Sequence, residues 1–313
     1  MTIELRQLLL AAAVVSLSAC GGGGSSAVSF LPPPPAAPPA VSPPPTTTAA
    51  NYIVAATTGT SDFETKGGFV SYDPRSGQSS GISMAEGELS MGITYDWSSN
   101  QYVLRLPSSS FWEGLFLNPN QVPNTRDFRT AGTPTPTYLQ LQEYAGTGYT
   151  HSALALWSTP GPEGGLSGGI AFGIPTPAGS VPMTGSAIYN GSITGRTTQS
   201  SFDSLAGNYW PAIVEGSISL SFNFGAGTLA GSLSPTIYND DRRALAPLSF
   251  TNTVYARGST AFSGSFDTSL TGVNGFSGRF TGPQARELIG GFAFPYASDG
   301  KTYQATGAFV GKQ

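Results

Sequence analysis

Residues 217–233 read SISLSFNFGAGTLAGSL, and this stretch indicates the class of fold. Apolar side chains alternate with small polar ones from Ile218 to Phe224, which is the period of a half-buried β-strand. The glycine-containing triplet at 225–227 then predicts a turn, and the alternation resumes at Leu229. The stretch therefore predicts a β-hairpin with one apolar face.

The same pattern continues to the end of the chain and predicts an all-β fold with eight antiparallel strands between about residues 186 and 310. A sheet of eight strands closes into a small barrel whose interior is filled by its own side chains. Glycines that alternate with aromatics on one face relieve crowding in so narrow a barrel and permit strong curvature. The other segments with this pattern are 187–193, 249–256, 262–266, 276–280, 290–294 and 303–309, and one helical turn is expected at Pro283.

Alternation by itself allows the apolar face to point either inward or toward lipid. Transmembrane strands need about 9–11 residues, whereas most of the predicted strands have five to eight. We therefore expect a soluble barrel with its aromatic side chains inside.

The composition excludes several classes of protein. Residues 51–313 hold 37 of the 41 glycines. A helix interior loses about 1 kcal/mol for each Gly in place of Ala, which excludes a helical bundle or a βαβ protein. One Cys excludes a disulfide framework and a Cys-based zinc site, and one His excludes a multi-histidine metal centre. The net charge of −4, without a basic cluster, argues against nucleic acid as a partner.

Residues 1–19 are typical of a lipoprotein signal peptide. Arg6 precedes the apolar run Leu8–Val15, which is far too short to span a bilayer, and small residues lead up to Cys20. A Cys at the first mature position offers a thiol for lipid, and several acyl chains, palmitate among them, anchor a protein stably. We therefore predict lipidation of Cys20; the alternative is an ordinary secretory signal followed by a chance Cys. Gly21 in place of Asp does not signal retention in the inner membrane, so an outer-membrane location is expected.

Residues 20–50 predict a Pro-rich disordered tether behind the lipidated Cys. This segment has no charge and three proline clusters, which favour the extended polyproline II conformation and a semi-rigid spacer. The alternative is a ligand for a proline-binding domain. Residues 51–182 alternate less regularly and predict a separate β domain, and we place its border with the barrel, residues 183–313, in the proline-rich 175–183 segment.

The closing segment resembles the C-terminal end of the transferrin-binding protein B β-barrel. In that family a strand leads to a Gly-Pro-x-Ala-x-Glu turn, then Gly-Gly-x-Phe, then a last Gly-x-Phe-Gly-Gly-Lys-like strand. The matching positions are Phe280, Gly282, Pro283, Ala285, Glu287, Gly290, Gly291, Phe292, Gly307, Phe309, Gly311 and Lys312, and residues 172–191 are similar to the entry into such barrels. Val310 stands where a Gly is usual, and this chain has one lobe where the family's namesake has two.

The resemblance implies a handle-like domain over 51–182 and a role for the whole chain. It implies a surface lipoprotein, non-enzymatic, that captures a protein carrier of iron or haem and passes it to a TonB-dependent outer-membrane receptor. No cofactor is implied, although haem is a candidate ligand. The competing class is a structural or adhesive surface lipoprotein with no small ligand.

Two segments are candidates for partner binding, because in this family recognition lies in loops at one end of the barrel and handle. Trp112 and Phe116 place large aromatics beside an Asn/Pro-rich loop, and Trp is enriched at binding hot spots; the alternative is core packing. Asp240, Asp241, Arg242 and Arg243 form the densest charge cluster, in the longest barrel loop. Its alternative is a solvated loop whose charges pair with each other.

One motif allows an enzyme hypothesis. Residues 77–81, GQSSG, match G-x-S-x-G around Ser79, and Asp96, Asp127 and His151 follow in an order that suits a hydrolase triad. The motif requires a strand-to-helix elbow that exposes the serine, and no helical pattern follows it here. We therefore predict no catalysis. His151 is expected at a strand edge, with haem ligation as the alternative for the chain's one imidazole.

Overall fold

The structure is a computed structural model that describes residues 60–84, 91–96, 101–106, 115–119, 127–130, 136–159 and 164–313. These residues form antiparallel strands and two short 3₁₀ helices, Ala145–Thr147 and Pro283–Ala285. The all-β prediction is confirmed, and the helical turn expected at Pro283 is present. None of the helices in the described ranges is long and apolar enough to cross a membrane.

The first ten strands form one sheet, which we call the N-terminal sheet. Its spatial order is β1-β4-β5-β6-β7-β8-β9-β10-β2-β3. The strands are β1 (Thr60–Asp62), β2 (Glu64–Tyr72), β3 (Ser79–Met84), β4 (Gly92–Asp96), β5 (Gln101–Arg105), β6 (Leu115–Pro119), β7 (Asp127–Thr130), β8 (Tyr138–Glu143), β9 (Ser152–Thr159) and β10 (Gly165–Gly173).

Side chains on one face of the N-terminal sheet build its own apolar core. Leu139 and Leu141 on β8 point into this core, while the residues between and before them are exposed, as period-two alternation requires. Every residue of β9 is buried, because the strand has the core on one face and the second sheet on the other.

The remaining strands form the barrel. They are β11 (Ser186–Asp203), β12 (Asn208–Asn223), β13 (Thr228–Tyr238), β14 (Arg242–Ala244), β15 (Leu248–Val254), β16 (Ala261–Phe266), β17 (Gly275–Thr281), β18 (Glu287–Ser298) and β19 (Lys301–Lys312). Hydrogen bonding runs β12-β11-β19-β18-β17-β16-β15-β13 and returns from β13 to β12, while β14 pairs only along β13. The predicted closed ring of eight strands is confirmed.

Several barrel strands are longer than the predicted five to eight residues, so that expectation is wrong. β11 has 18 residues and β12 has 16, and their hairpin continues past a register shift between Arg196 and Ser200. The additional residues of β11, 194–203, are mostly polar, and those of β12, 208–216, include Pro211 and do not alternate regularly, so the apolar period underestimated both lengths. The predicted orientation is nevertheless observed, because the aromatics point into the barrel.

The barrel core is built from the alternating residues of the predicted hairpin. Ile218, Leu220, Phe222 and Phe224 are all buried, whereas the polar residues between them face outward. The ring of Phe222 lies 4.8 Å from Phe280 and 5.1 Å from Phe262, measured between ring centroids. Such tilted and edge-on ring pairs stabilise a core beyond the area that they bury.

Glycines inside the barrel lie under these rings, as predicted. Gly290 on β18 is directly opposite Phe309 on β19, and the ring of Phe309 occupies the space that a side chain at 290 would need. Gly278 and Phe262 make the same arrangement on β17 and β16. The narrow barrel can hold these rings because the residues directly opposite Phe262 and Phe309 have no side chain.

A second group of glycines lies where the two sheets meet, and the sequence did not predict it. A Cβ at Gly169 on β10 would lie 2.8 Å from the backbone nitrogen of Ala308 on β19. A Cβ at Gly291 on β18 would lie 3.0 Å from the carbonyl oxygen of Gly67 on β2. The described residues of both sheets accordingly belong to one compact unit. The division into domains at 182/183 stays a prediction.

We expect Gly169→Ala to destabilise the protein by about 1–3 kcal/mol, because the new methyl group collides with backbone that cannot move independently of its sheet. Gly92→Ala is the matched control: a Cβ there would make ordinary contact, 3.6 Å from the Cβ of Arg105, and should change stability by less than about 0.5 kcal/mol. Urea unfolding followed by circular dichroism measures both. Equal effects of the two substitutions would contradict the close packing of the sheets.

Candidate functional site

One end of the barrel carries the predicted charge cluster together with exposed apolar side chains. Strand order places four connections at this end: 204–207, 239–247, 267–274 and 299–300. We call this surface the loop end. Leu205 is 99% exposed, and Phe202 and Val273 are about half exposed. Large apolar side chains grouped on an exposed surface are a usual sign of an interaction site.

The turn between β11 and β12 holds Leu205 in a defined position. The carboxylate of Asp203 accepts hydrogen bonds from the backbone N–H groups of Leu205 (2.9 Å) and Ala206 (3.1 Å). Gly207, at φ 67°, closes the turn by donating to the carbonyl of Asp203. The turn therefore presents an apolar side chain to solvent from a fixed backbone. This feature was not predicted, although the Asp-x-Leu-x-Gly pattern of the turn is visible in the sequence.

The two arginines of the predicted cluster contact different neighbours. The guanidinium of Arg242 lies over the ring of Tyr238, 5.4 Å from its centroid. The Nη1 atom of Arg243 donates to Oγ of Ser298 (2.8 Å), which ties the 239–247 connection to the end of β18.

The acidic residues of the cluster, Asp240 and Asp241, are exposed and make no ion pair with Arg242 or Arg243 in the described part of the chain. The four side chains are exposed, as the alternative of a solvated loop expects, but the pairing among them that it assumed is not observed in the described residues. The proposed role of all four residues in partner binding stays a prediction.

A cavity of about 280 Å³ opens at the loop end. Its lining is mainly apolar and includes one arginine and one tyrosine. Burial raises the pKa of the Tyr296 phenol, whose hydroxyl donates to the side chain of Gln199 (3.0 Å). The phenol is therefore neutral at physiological pH. The principal lining residues are Arg243, Leu245, Leu248, Leu270, Phe294 and Tyr296.

Three other predicted residues cannot be placed in a site. Cys20 and Trp112 lie outside the described residues. Phe116 lies on β6, and only the backbone of that strand is described. Their roles stay predictions.

The residues of the hydrolase hypothesis are not brought together. Ser79 begins β3 after a hairpin turn, so the strand-to-helix elbow is not formed, and its hydroxyl donates to the carbonyl of Ser71 (3.1 Å). The imidazole of His151 instead contacts the hydroxyl of Thr150, 2.8 Å from Nδ1. Among the described residues, Ser79 and His151 share no hydrogen bond. Groups of three or more His, Cys, Asp or Glu side chains able to hold a metal ion are also not found there.

His151 belongs to a clamp between the N-terminal sheet and the barrel. It lies directly before β9, and Glu287 reaches it from β18. The Oε1 atom of Glu287 accepts a hydrogen bond from the backbone N–H of Thr150 (2.7 Å), and Oε2 accepts one from the backbone N–H of His151 (2.9 Å). The Nδ1 atom of His151 lies 3.8 Å from Oε1. Glu287 is only 4% exposed. Burial raises the pKa of its carboxyl, but these donors outweigh burial and hold the pKa below its ordinary value.

Lys312 makes a second link beside the first. It pairs with Glu287 across β18 and β19, and its Nζ donates to the carbonyl of Thr147 (3.0 Å) and lies over the ring of Tyr149. In the sequence, Glu287 and Lys312 were recognisable only as parts of the closing motif. Both residues hold the barrel against the N-terminal sheet.

A family model matches the barrel. Residues 181–313 match the model described as C-lobe and N-lobe beta barrels of Tf-binding protein B. No curated protein matches the chain.

Several solved structures are similar at low sequence identity. Transferrin Binding Protein B from Haemophilus parasuis, a double mutant, matches at 18% identity and a TM-score of 0.43, over 80% of this chain and 44% of that chain. Intact Ap-TbpB, with N and C lobes, matches at 15% identity and a TM-score of 0.42, over 80% and 46%. HpuA from Kingella denitrificans, in complex with human haemoglobin, matches at 14% identity and a TM-score of 0.34, over 85% and 91%. The chain spans less than half the length of the first two proteins.

We expect Glu287→Gln to lower the free energy of unfolding at pH 7 by about 2 kcal/mol, because a buried carboxylate with several donors is replaced by a neutral amide. A carboxyl whose pKa is lowered by folding stabilises the protein above its unfolded pKa, near 4.3, and this contribution is lost as the pH falls through the lower folded pKa. The difference between the two proteins should therefore shrink on acidification below about pH 4.

The control for this prediction is Glu64→Gln. Glu64 on β2 also pairs across the two sheets, with Arg279 (3.0 Å), but both side chains are about one-third exposed. Removal of this ion pair should lower the free energy of unfolding by less than about 1 kcal/mol. Urea midpoints of the three proteins at pH 7 and pH 3 measure both effects, and a Glu287→Gln effect that does not depend on pH would refute the assignment.

Proposed function

We propose that this chain, whose residues 181–313 form a β-barrel of the transferrin-binding protein B type, is a surface lipoprotein that captures a protein carrier of iron or haem. In this proposal the chain then presents the carrier to a TonB-dependent outer-membrane receptor. The observation that carries the proposal is the loop end: a barrel of this family presents exposed apolar side chains and unpaired acidic charges on one surface.

The geometry of the loop end suits recognition of a protein. The backbone of Leu205 and the side chain of Arg243 are held by hydrogen bonds before any partner arrives, so less loop entropy and less arginine side-chain entropy is lost on binding. The exposed apolar residues supply area to bury, and Arg is enriched at hot spots of protein interfaces. Asp240 and Asp241 are free to meet cations on a partner.

The class of partner follows from the family. The matching model is named for transferrin binding, and one similar solved structure holds human haemoglobin. Transferrin and haemoglobin are therefore the first proteins to test, and haem itself stays a candidate ligand. The alternative, a structural or adhesive surface lipoprotein with no small ligand, expects no binding to any of the three.

The proposed location is the outer surface of the outer membrane. A lipid on Cys20 would anchor the chain, and the Pro-rich residues 20–50 would hold the barrel away from the membrane, at about 3.1 Å per residue where they adopt polyproline II. A tether of this kind suits a protein that must reach a large carrier and return it to a receptor in the same membrane.

We expect Leu205→Asp combined with Phe202→Asp to weaken carrier binding by at least about tenfold, because a charge would have to be buried in the interface. Biolayer interferometry with transferrin, haemoglobin and free haem measures this. Ile188→Asp is the matched control: Ile188 is 59% exposed near the other end of β11 and should leave affinity unchanged. Absence of binding by the wild-type protein to all three probes would favour the structural alternative.

We expect Cys20→Ser to release the protein from the membrane, because serine offers no thiol for the lipid. Labelling with radioactive palmitate and fractionation of the cells measure this directly. The variant should bind the carrier in solution as well as the wild type does, since the loop end is unchanged. A Cys20→Ser protein that still carries label would contradict the lipoprotein assignment.

A further inference from the structure

A second cavity lies between the N-terminal sheet and the barrel and shares no residue with the cavity at the loop end. Its volume is about 260 Å³, which is several times the roughly 30 Å³ that one water molecule occupies in the liquid. β7, β8 and β9 form one wall, and a single side chain from β11 reaches in from the barrel. The lining residues used in the argument are Asp127, Tyr138, Gln140, Leu156, Ser158 and Arg196.

Arg196 brings an incompletely satisfied positive charge to this cavity. It is the last residue of β11 before the register shift, and it is partly buried. Its Nη1 donates to the carbonyl of Pro211 (2.8 Å), whereas Nε is buried without a partner among the described residues. Burial lowers the pKa of the guanidinium to about 10, so the group stays charged at neutral pH. A buried N–H of a cation that has no acceptor is costly, and a carboxylate placed beside Nε would satisfy it.

Asp127 brings a negative charge to the same cavity. It is directly opposite Gln140 on β8, and Gln140 is opposite Leu156 on β9, so the three side chains share one face of the N-terminal sheet. The Oδ1 atom of Asp127 is buried and has no hydrogen-bond partner among the described residues. Asp127 and Arg196 form no ion pair with each other. The cavity therefore offers an acceptor for a cation and a donor for an anion at separate places.

The rest of the lining combines apolar and neutral polar side chains. Leu156 is 8% exposed, and the ring of Tyr138, 44% exposed, stands at the rim. Ser158, directly opposite Tyr138, adds one hydroxyl. A simple anion would be attracted by Arg196 and repelled by Asp127. A simple cation would be attracted by Asp127 and repelled by Arg196.

We propose that this cavity binds a small zwitterion, an α-amino acid with an apolar side chain, whose carboxylate pairs with Arg196 and whose ammonium group pairs with Asp127. The apolar side chain lies against Leu156 and Tyr138. The size agrees with a small ligand, because the cavity is below the range of about 300–1,000 Å³ that drug-sized ligands occupy. This site is independent of the carrier-binding function proposed for the loop end.

Three probes that share one branched carbon chain test the proposal: L-leucine, 4-methylpentanoate, which lacks the ammonium group, and 3-methylbutylamine, which lacks the carboxylate. Isothermal titration calorimetry and saturation-transfer NMR are carried out on the full chain. We expect leucine to bind saturably and at least about tenfold more tightly than either half-ligand. Arg196→Gln should weaken the binding of leucine at least about tenfold. Asp127→Asn should lower the affinity for leucine to that for 4-methylpentanoate.

Arg105→Gln is the control, because Arg105 is exposed on β5 and does not line the cavity, and it should leave binding unchanged. If Arg196→Gln does not fold, as circular dichroism would show, the loss of selectivity in Asp127→Asn decides the outcome. The proposal is overturned if leucine does not bind the wild type, if 4-methylpentanoate binds as tightly as leucine, or if folded Arg196→Gln binds leucine normally.

Discussion

The backbones of the N-terminal sheet and the barrel approach so closely at Gly68, Gly169 and Gly291 that a Cβ at any of them would meet the other sheet. Protein interiors are packed like organic crystals, so a contact of this kind leaves little freedom of position. Backbone pressed against backbone also cannot adapt through rotamers, as interdigitated side chains can. The mutual position of the two sheets is therefore determined chiefly by where side chains are missing.

Polar links at the border of this contact complete the arrangement. Glu287 and Lys312, neighbours across β18 and β19, reach residues 147–151 on the N-terminal sheet. Beside this contact a cavity remains between the sheets, and Arg196 and Asp127 are among the residues that line it. One constraint thus accounts for both the rigidity of the contact and the presence of a polar cavity beside it.

The sequence was sufficient for features whose signal is local. The alternation at 217–224 predicted a strand, its turn and its buried face, because the period of two is visible within eight residues, and the glycines between aromatics predicted a small barrel. The contact between the sheets was not predictable, since Gly169 and Ala308 are 139 positions apart in the chain. The sequence around either residue gives no indication that the two are in contact. For the same reason Glu287 could be recognised as part of a motif, whereas its partners on the other sheet could not. Within the candidate site, the charges at 240–243 were found from their density, but the exposure of Leu205 depends on where the barrel ends.

A barrel filled by its own side chains must recognise partners elsewhere than in its interior. Larger barrels enclose their ligands, but eight strands leave room only for packed residues, and the rings of Phe222, Phe262 and Phe280 take that room here. Two kinds of surface then remain for binding: the connections at the end of the barrel, and the margin where the outer face of the barrel meets the second sheet. The connections carry exposed apolar and charged side chains that suit a protein, whereas the margin holds a cavity of about 260 Å³ that suits a small molecule. The close packing of the two sheets therefore adds a second cavity, walled mainly by β7, β8 and β9, that the barrel could not form alone.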